Sequence, residues 1–424
     1  MLDIKFIREH KDIIKEAARK KRISFDVEAL VEADDKRKSI LTSIEAKKAE
    51  QNKCSLFIAN PQHLGSAYQK QELIEKMTIL KNEMKKEEEE LGEVMKTWQE
   101  LMLQVPNIPD MSVPEGESED DNQELRTWGE VPTFSFPVKN HIELCEQHDL
   151  ADFERGAKIS GFRGYILKNA GAQLEFAIWQ YVMNFLINRG YNPMIVPSLV
   201  RRETLLGSGY LPQGEEDLYK TQDGDYLAGT GEVATMSYYS GETLDKNDLP
   251  KKIIAFSPCF RREAGSHSKD TKGLIRVHEF FKLEQVILCE ANHALSVDFH
   301  EELLKNTEDI MQSLNLPYRV LLICGQDLGL GQVKKYDIEA WVPSQNTYRE
   351  THSASYFHDF QTRRLNIRYK DTDGKLRFAH SLNNTAIATP RILVSILENN
   401  QQEDGSIVIP EALVPYMNGV KIIK

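Results

Sequence analysis

Phe260-Arg261-Arg262-Glu263-Ala264-Gly265-Ser266, running on to Gly273-Leu274-Ile275-Arg276-Val277-His278-Glu279-Phe280-Phe281-Lys282-Leu283-Glu284, is the stretch from which the fold is worked outward. It opens after the apolar run Ile253-Ile254-Ala255-Phe256 and closes into Glu284-Gln285-Val286-Ile287-Leu288. Apolar runs of that length bounded by turn residues predict two buried strands joined by a long polar hairpin loop, Glu263 to Lys272. Arginines flank the loop at 261, 262 and 276, and aromatic rings stand at 280 and 281. Guanidinium groups grip phosphate oxygens bidentately and stay charged at any working pH. A flat ring nearby can stack on a base. Residue types alone leave two readings: a nucleotide cradle without a glycine-rich phosphate loop, or a hairpin with a solvated basic loop.

The chain of 424 residues is long enough for two or three domains, and 41% apolar content supports a sizeable core. A formal charge of -12 argues against non-specific coating of nucleic acid but permits a local basic face. Cysteines 54, 145, 259, 289 and 324 show no CxxC and no zinc-like spacing, so they read as reduced thiols of a cytoplasmic protein. No signal-peptide pattern occurs, and no apolar run approaches the ~18 residues of a membrane span. Neither GxGxxG nor GxxxxGK[ST] occurs, which argues against dinucleotide and P-loop folds.

Towards the N-terminus, residues 1 to about 105 follow a helical pattern, with a turn signal at Asn60-Pro61-Gln62-His63-Leu64-Gly65. Leu73, Met77, Leu80, Met84, Glu87, Leu91, Val94, Trp98 and Leu101 step by four and three, a heptad seam broken at Glu87. Val27, Leu30, Leu41, Ile44 and Ile58 keep fragments of a matching seam. Two helices of about 33 residues, each rising ~1.5 Å per residue, predict an antiparallel hairpin roughly 50 Å long, with little core of its own and so projecting from the body. The runs Lys36-Arg37-Lys38 and Lys47-Lys48 are in the first instance solvated helix faces, and Glu87 to Glu90 make the other helix acidic. Proline at 106 and 109 ends the helix. The acidic stretch around Glu117-Ser118-Glu119-Asp120-Asp121 reads as an exposed linker. The expected division is a coiled-coil arm at 1–108, a linker at 109–140 and a body at 141–424.

Within the body, Leu174, Ala177, Ile178, Tyr181, Val182, Phe185 and Leu186 form one apolar helical stripe, which Gly190 ends as the C′ residue. A strand at Met194-Ile195-Val196 and Pro197 follow. Thr230 and Glu232, two apart on an extended segment, would point the same way and could hold an ammonium and a small hydroxyl. Lys335 to Pro343 alternates like a strand. Thr389 is a good N-cap and Pro390 a good first helical residue, placing Arg391 in a first turn that favours anions.

These motifs, in this order, resemble the seryl-tRNA synthetases of the class II aminoacyl-tRNA synthetases. The opening hairpin looks like their motif 2, the helix before Gly190 like motif 1, and Leu382-Asn383-Asn384-Thr385-Ala386-Ile387-Ala388-Thr389-Pro390-Arg391 like motif 3. The resemblance covers nearly the whole chain and implies an α+β protein: an antiparallel two-helix arm and a class II catalytic domain on a mostly antiparallel sheet flanked by helices. It implies serine–tRNA ligase activity. L-serine and ATP with Mg²⁺ would give seryl-adenylate, and serine would pass to tRNA(Ser), with tRNA(Sec) left open. It also implies a cytoplasmic homodimer and an arm that reaches tRNA.

Carried over residue by residue, Arg261 would hold the α-phosphate and the attacking carboxylate. Glu263 would face the adenine amino group, Arg276 the outer phosphates, Phe280 the adenine ring, and Arg391 the γ-phosphate. Glu284, with Thr230 and Glu232, would bind the substrate ammonium; Asn383 and Thr385 would contact serine and its hydroxyl. Glu350 and Ser353, both oxygen donors, would hold Mg²⁺. Departures from the family pattern stand at Arg262, His352, Tyr356, Thr385, Ala386 and Pro390, and Gly231 replaces the more usual alanine. His352 has no second His or Cys at zinc-ligand spacing. Two other readings are a catalytically silent, synthetase-like regulatory or RNA-binding module and an amino-acid ligase charging a carrier protein. Retention of Arg261, Glu284, Glu350 and Arg391 disfavours the first, and the long arm disfavours the second.

Overall fold

The computed structural model describes residues 1–59, 67–265 and 270–424, which divide into two compact units. The first comprises Asp3–Ala18 and Ile23–Val105, the second Met1–Leu2, Arg19–Arg22 and Pro106–Lys424. Among the described residues no helix is long and apolar enough to cross a membrane. All five cysteines are free and buried.

The first unit is built on two long helices, α1 (Val27–Ala59) and α2 (Ala67–Gln104). The turn expected at Asn60 to Gly65 lies outside the described residues. Every seam position expected on α2, from Leu73 to Leu101, is buried or half-buried between mostly exposed neighbours. Across it Ile40 and Ile44 pack on Val94 and Leu91; Ile40 takes a core place that the sequence reading gave to Leu41. The break at Glu87 is answered from α1, where Ser43 Oγ and Lys47 Nζ donate to Glu87 Oε1 at 2.8 and 2.9 Å. A carboxylate on a seam needs such partners, because an unpaired buried acceptor costs about 1–3 kcal/mol. The basic runs are all engaged within the unit. Lys36 pairs with Glu90, Arg37 and Lys38 with Asp34, Lys47 with Glu83 and Glu87, and Lys48 with Glu88.

An eight-stranded sheet organises the second unit. Its strands are β1 (Gln123–Trp128), β2 (Asn192–Ile195), β3 (Lys251–Phe260), β4 (Glu279–Cys289), β5 (Tyr318–Leu322), β6 (Lys334–Val342), β7 (Thr347–His358) and β8 (His380–Thr389). They lie in the order β1-β5-β6-β7-β8-β4-β3-β2. All neighbours are antiparallel except β2 and β3. The opening hairpin is therefore β3 and β4, with Phe260 opposite Glu279 and Ile254 opposite Gln285. Ser266 to Lys269 of its loop lie outside the described residues. One correction falls on the stretch expected as linker, because Gln123–Trp128 is the edge strand β1. Its side chains are exposed along nearly its whole length, so it carries no buried alternation for a sequence reading to find.

Helices α3 (Asn169–Ile187), α4 (Gly231–Ser237), α5 (His293–Ser313) and α6 (Arg391–Asn399) complete the frame. Leu174, Ile178 and Val182 of α3 share one core with Leu303 and Ile310 of α5, Ile392 and Ile396 of α6, and strand residues such as Ile254, Leu283 and Ile387. The end of α3 follows the expected pattern. Gly190 (φ +85°) donates to Ile187 O and Tyr191 N to Leu186 O, the paired bonds of a glycine-terminated helix.

Candidate active site

One cavity of about 180 Å³ opens where β4, β7 and β8 meet the starts of α4 and α6. Arg261, Glu263, Phe280, Glu284, Glu232, Glu350, Ser353, Asn383, Thr385 and Arg391 all line it, ten of the twelve expected site residues. Arg261 and Glu350 keep their side chains open to the cavity, whereas Glu232, Lys282 and Glu284 are buried in its wall. The two arginines that the sequence reading required to converge, one after the β3 strand and one opening α6, share this space.

Each is held by main chain. Arg261 Nε donates to Gly229 O at 3.2 Å, and its guanidinium carbon lies 5.3 Å from the centre of the Phe280 ring. Arg391 Nε donates to Ile275 O at 3.0 Å and Nη1 to Glu350 O at 2.8 Å. Burial works against ionising Glu350, but Lys335, Arg391, Arg261 and Lys282 together hold its carboxyl below the usual value. A carboxylate kept charged beside two guanidiniums suits a site for a polyanion and a divalent cation. Donor chemistry agrees. Glu350 and Ser353 line the same wall, and Asp337, opposite Ser353 on β6, has a buried Oδ1 with no hydrogen-bond partner among the described residues. Among the described residues no group of three His, Cys, Asp or Glu side chains could hold a metal alone. A Mg²⁺ here would accordingly take one or two protein oxygens and complete its shell with phosphate and water.

Acid groups gather at the other end. Glu232 receives Tyr210 Oη at 2.9 Å and Gln361 Nε2 at 2.6 Å, and burial, then Glu284, lifts its carboxyl to about 7. Glu284 is also raised, by burial, although Lys282 Nζ sits 2.6 Å from it. Thr385 Oγ1 reaches Glu284 Oε2 at 3.5 Å. The Asn383 amide nitrogen, buried in the wall, has no partner among the described residues. Two carboxylates, a hydroxyl and an idle amide donor make a pocket for a small zwitterion with a polar side chain.

Two expected residues do not line the cavity. Thr230 is not on an extended segment beside Glu232. It caps α4, its hydroxyl accepting from Glu232 N at 3.2 Å, because threonine satisfies a free helix N–H better than a strand neighbour. Arg276 is turned to Glu263, Nη1 donating to Oε2 at 2.5 Å, so it reaches the cavity only through that lining carboxylate. A further correction concerns Thr389. It ends β8 rather than capping α6, whose cap is Pro390. Its hydroxyl is taken by Glu175 and Trp179 of α3. Arg391 nonetheless opens the helix, as expected.

Among the departures, Arg262 leans away, donating from Nη1 to Glu216 O at 3.2 Å. A Cβ at Gly231 would lie 2.9 Å from Ser257 Oγ, so an alanine there would require that hydroxyl to turn aside. His352 is buried against the Thr351 hydroxyl, and burial drops its imidazole to about 3. Sequence reasoning missed Lys282, although strand alternation puts it on the same face as Phe280 and Glu284. It missed Tyr210, Gln332 and Ser355 because no local pattern marks a polar residue that arrives from a distant loop or strand.

Comparison with known proteins adds breadth to this geometry. Residues 219–400 match the description "tRNA synthetase class II core domain (G, H, P, S and T)", and residues 1–109 match "Seryl-tRNA synthetase N-terminal domain". The chain is 46% identical over 424 residues to a serine–tRNA ligase of Deinococcus radiodurans, covering 100% of this chain and 99% of the relative. It is 42% identical to that of Pelobacter propionicus, covering all of both. Among solved structures, seryl-tRNA synthetase from Pyrococcus horikoshii complexed with ATP superposes with a TM-score of 0.91 at 38% identity, covering 100% of this chain and 99% of that one. The cytoplasmic serine–tRNA ligase of Naegleria fowleri in complex with AMP gives 0.87 at 31%, with the same coverage.

Proposed function

The chain belongs to the seryl-tRNA synthetases, class II aminoacyl-tRNA synthetases, and from that premise we propose how its cavity activates L-serine with ATP and charges tRNA(Ser). The serine carboxylate attacks the α-phosphorus in line and pyrophosphate leaves. A hydroxyl of the tRNA's terminal adenosine then attacks the carbonyl and AMP leaves. Both steps force anions together, so charge neutralisation and positioning are what the protein must supply. Arg261 holds the α-phosphate against the incoming carboxylate, Arg391 meets the γ-phosphate, and Phe280 stacks the adenine. Glu263 and Arg276 take up the adenine amino group and the outer phosphates on leaving one another. Glu350 and Ser353 would hold Mg²⁺, which would supply further neutralisation of the phosphates. Glu232 and Glu284 bind the ammonium, with Thr230 fixing Glu232 from the helix cap, and Asn383 and Thr385 meet the serine carbonyl end and hydroxyl. No side-chain nucleophile takes part.

The observation that carries this reading is the single cavity shared by Arg261, Arg391, Glu232 and Glu284. Residues 1–108 serve as the tRNA-reaching arm and 141–424 as the catalytic body. Homodimerisation through the motif 1 region is supported by Phe176 and Ile195, 66% and 84% exposed on α3 and β2. On this reading the reaction runs in the cytoplasm. Serine-dependent ATP–pyrophosphate exchange tests the site: the wild-type protein should exchange and Arg261→Ala should not. Exchange that survives in Arg261→Ala removes that residue from the site.

A further inference from the structure

Glu175 lies inside the apolar stripe of α3, three residues before Ile178 and seven before Val182. An apolar side chain would satisfy that position as far as packing goes. Instead the protein buries a carboxyl whose burial lifts it to about 7, and only the Thr389 hydroxyl draws it back. Thr389 Oγ1 donates to Glu175 Oε1 at 2.6 Å and accepts from Trp179 Nε1 at 2.9 Å. Residues 175 and 179 are one helical turn apart, so two successive turns of α3 grip one hydroxyl. Trp179 is itself wedged between Phe256 and Phe281, ring centres 5.0 and 5.1 Å away.

Thr389 is the last residue of β8, opposite Phe281 on β4 and two residues before Arg391. Phe280, the proposed adenine platform, adjoins Phe281. The clamp therefore acts where the two nucleotide-contacting elements come together. We propose that Glu175 is a positioning residue for ATP: through the Thr389 hydroxyl it fixes the strand end that delivers Arg391 and backs Phe280. The inference rests on reading this cavity as the ATP site.

Exchange kinetics on the full-length protein test it. Glu175→Ala should raise KM for ATP about tenfold, the equivalent of one buried hydrogen bond, and leave KM for serine unchanged. Glu175→Gln, whose amide oxygen still accepts from Thr389, should restore the wild-type KM for ATP. Thr389→Val should reproduce the alanine effect, and adding Glu175→Ala to it should bring no further loss. Glu175→Met, which fills the space without an acceptor, carries the same expectation if the alanine variant does not fold. An unmoved KM for ATP in both variants overturns the proposal, as does a fall in kcat alone with both KM values intact. So do effects of Glu175→Ala and Thr389→Val that multiply. Exchange missing from the wild-type protein would instead overturn the ATP reading and this inference with it.

Discussion

Lys282→Met should be the most informative single change. Lys282 and Glu284 are 7% and 3% exposed as side chains, with Nζ 2.6 Å from Oε2. Removing one partner of a buried pair leaves the other charge uncompensated, which costs about 3–5 kcal/mol. Glu284 can escape that cost by taking a proton, so the loss depends on pH. Its carboxyl is already raised by burial in the folded protein, and losing Lys282 raises it further. A carboxyl with a raised folded value binds its proton more tightly folded than unfolded. The stability it contributes is thus present at low pH and lost as pH rises through the folded value. Thermal unfolding should show Lys282→Met close to wild type near pH 5 and, on the order of 3 kcal/mol weaker, several degrees lower in Tm near pH 8. KM for serine should rise with it, because a neutral Glu284 attracts an ammonium poorly. Adding Glu284→Met should recover most of the stability but none of the serine binding, since an apolar pair replaces a buried ion pair at little cost. A Tm deficit that is the same at both pH values would refute the reasoning, as would an unchanged KM for serine.

Glu232 sits near 7, so KM for serine in the wild-type protein should climb as pH falls from 8 to 6, when a proton competes with the ammonium. A flat profile would remove Glu232 from the serine pocket. Gly156→Ala should lower Tm strongly, by the equivalent of about 1–3 kcal/mol or more, because its Cβ would lie 2.4 Å from the Tyr165 Cα. Deleting residues 30–100 should spare pyrophosphate exchange and abolish tRNA charging; charging that persists would deny the arm its proposed role. Charging, but not exchange, should weaken steeply with added salt, as phosphate contacts release counterions.

What was legible in the sequence was what repeats or runs locally. The seam on α2 and the apolar runs of β3 and β4 announce themselves, because burial imposes a period on a helix and a length on a strand. Gly190 was legible because only a left-handed residue closes that helix end cheaply. The edge strand β1 was not, since exposed residues from Gln123 to Leu125 carry no pattern. Thr230 and Thr389 each fit two local roles; the helix claimed the first as its cap, and α3 claimed the second from 210 residues away. Lys282 went unread because a lysine among apolar residues looks like surface until the carboxylate facing it is known. Glu175 carried a usable signal, a charge inside an apolar stripe, whose meaning required the partner.

The join of Glu87 to Ser43 and Lys47 has a mechanical consequence. Sliding one long helix past the other by a heptad, roughly 10 Å, would bring to this acid either Lys36 and Ile40 or Glu50 and Cys54 in place of Ser43 and Lys47. Neither slipped alignment returns both donors to it. The notch works as a detent, holding the two helices at one overlap.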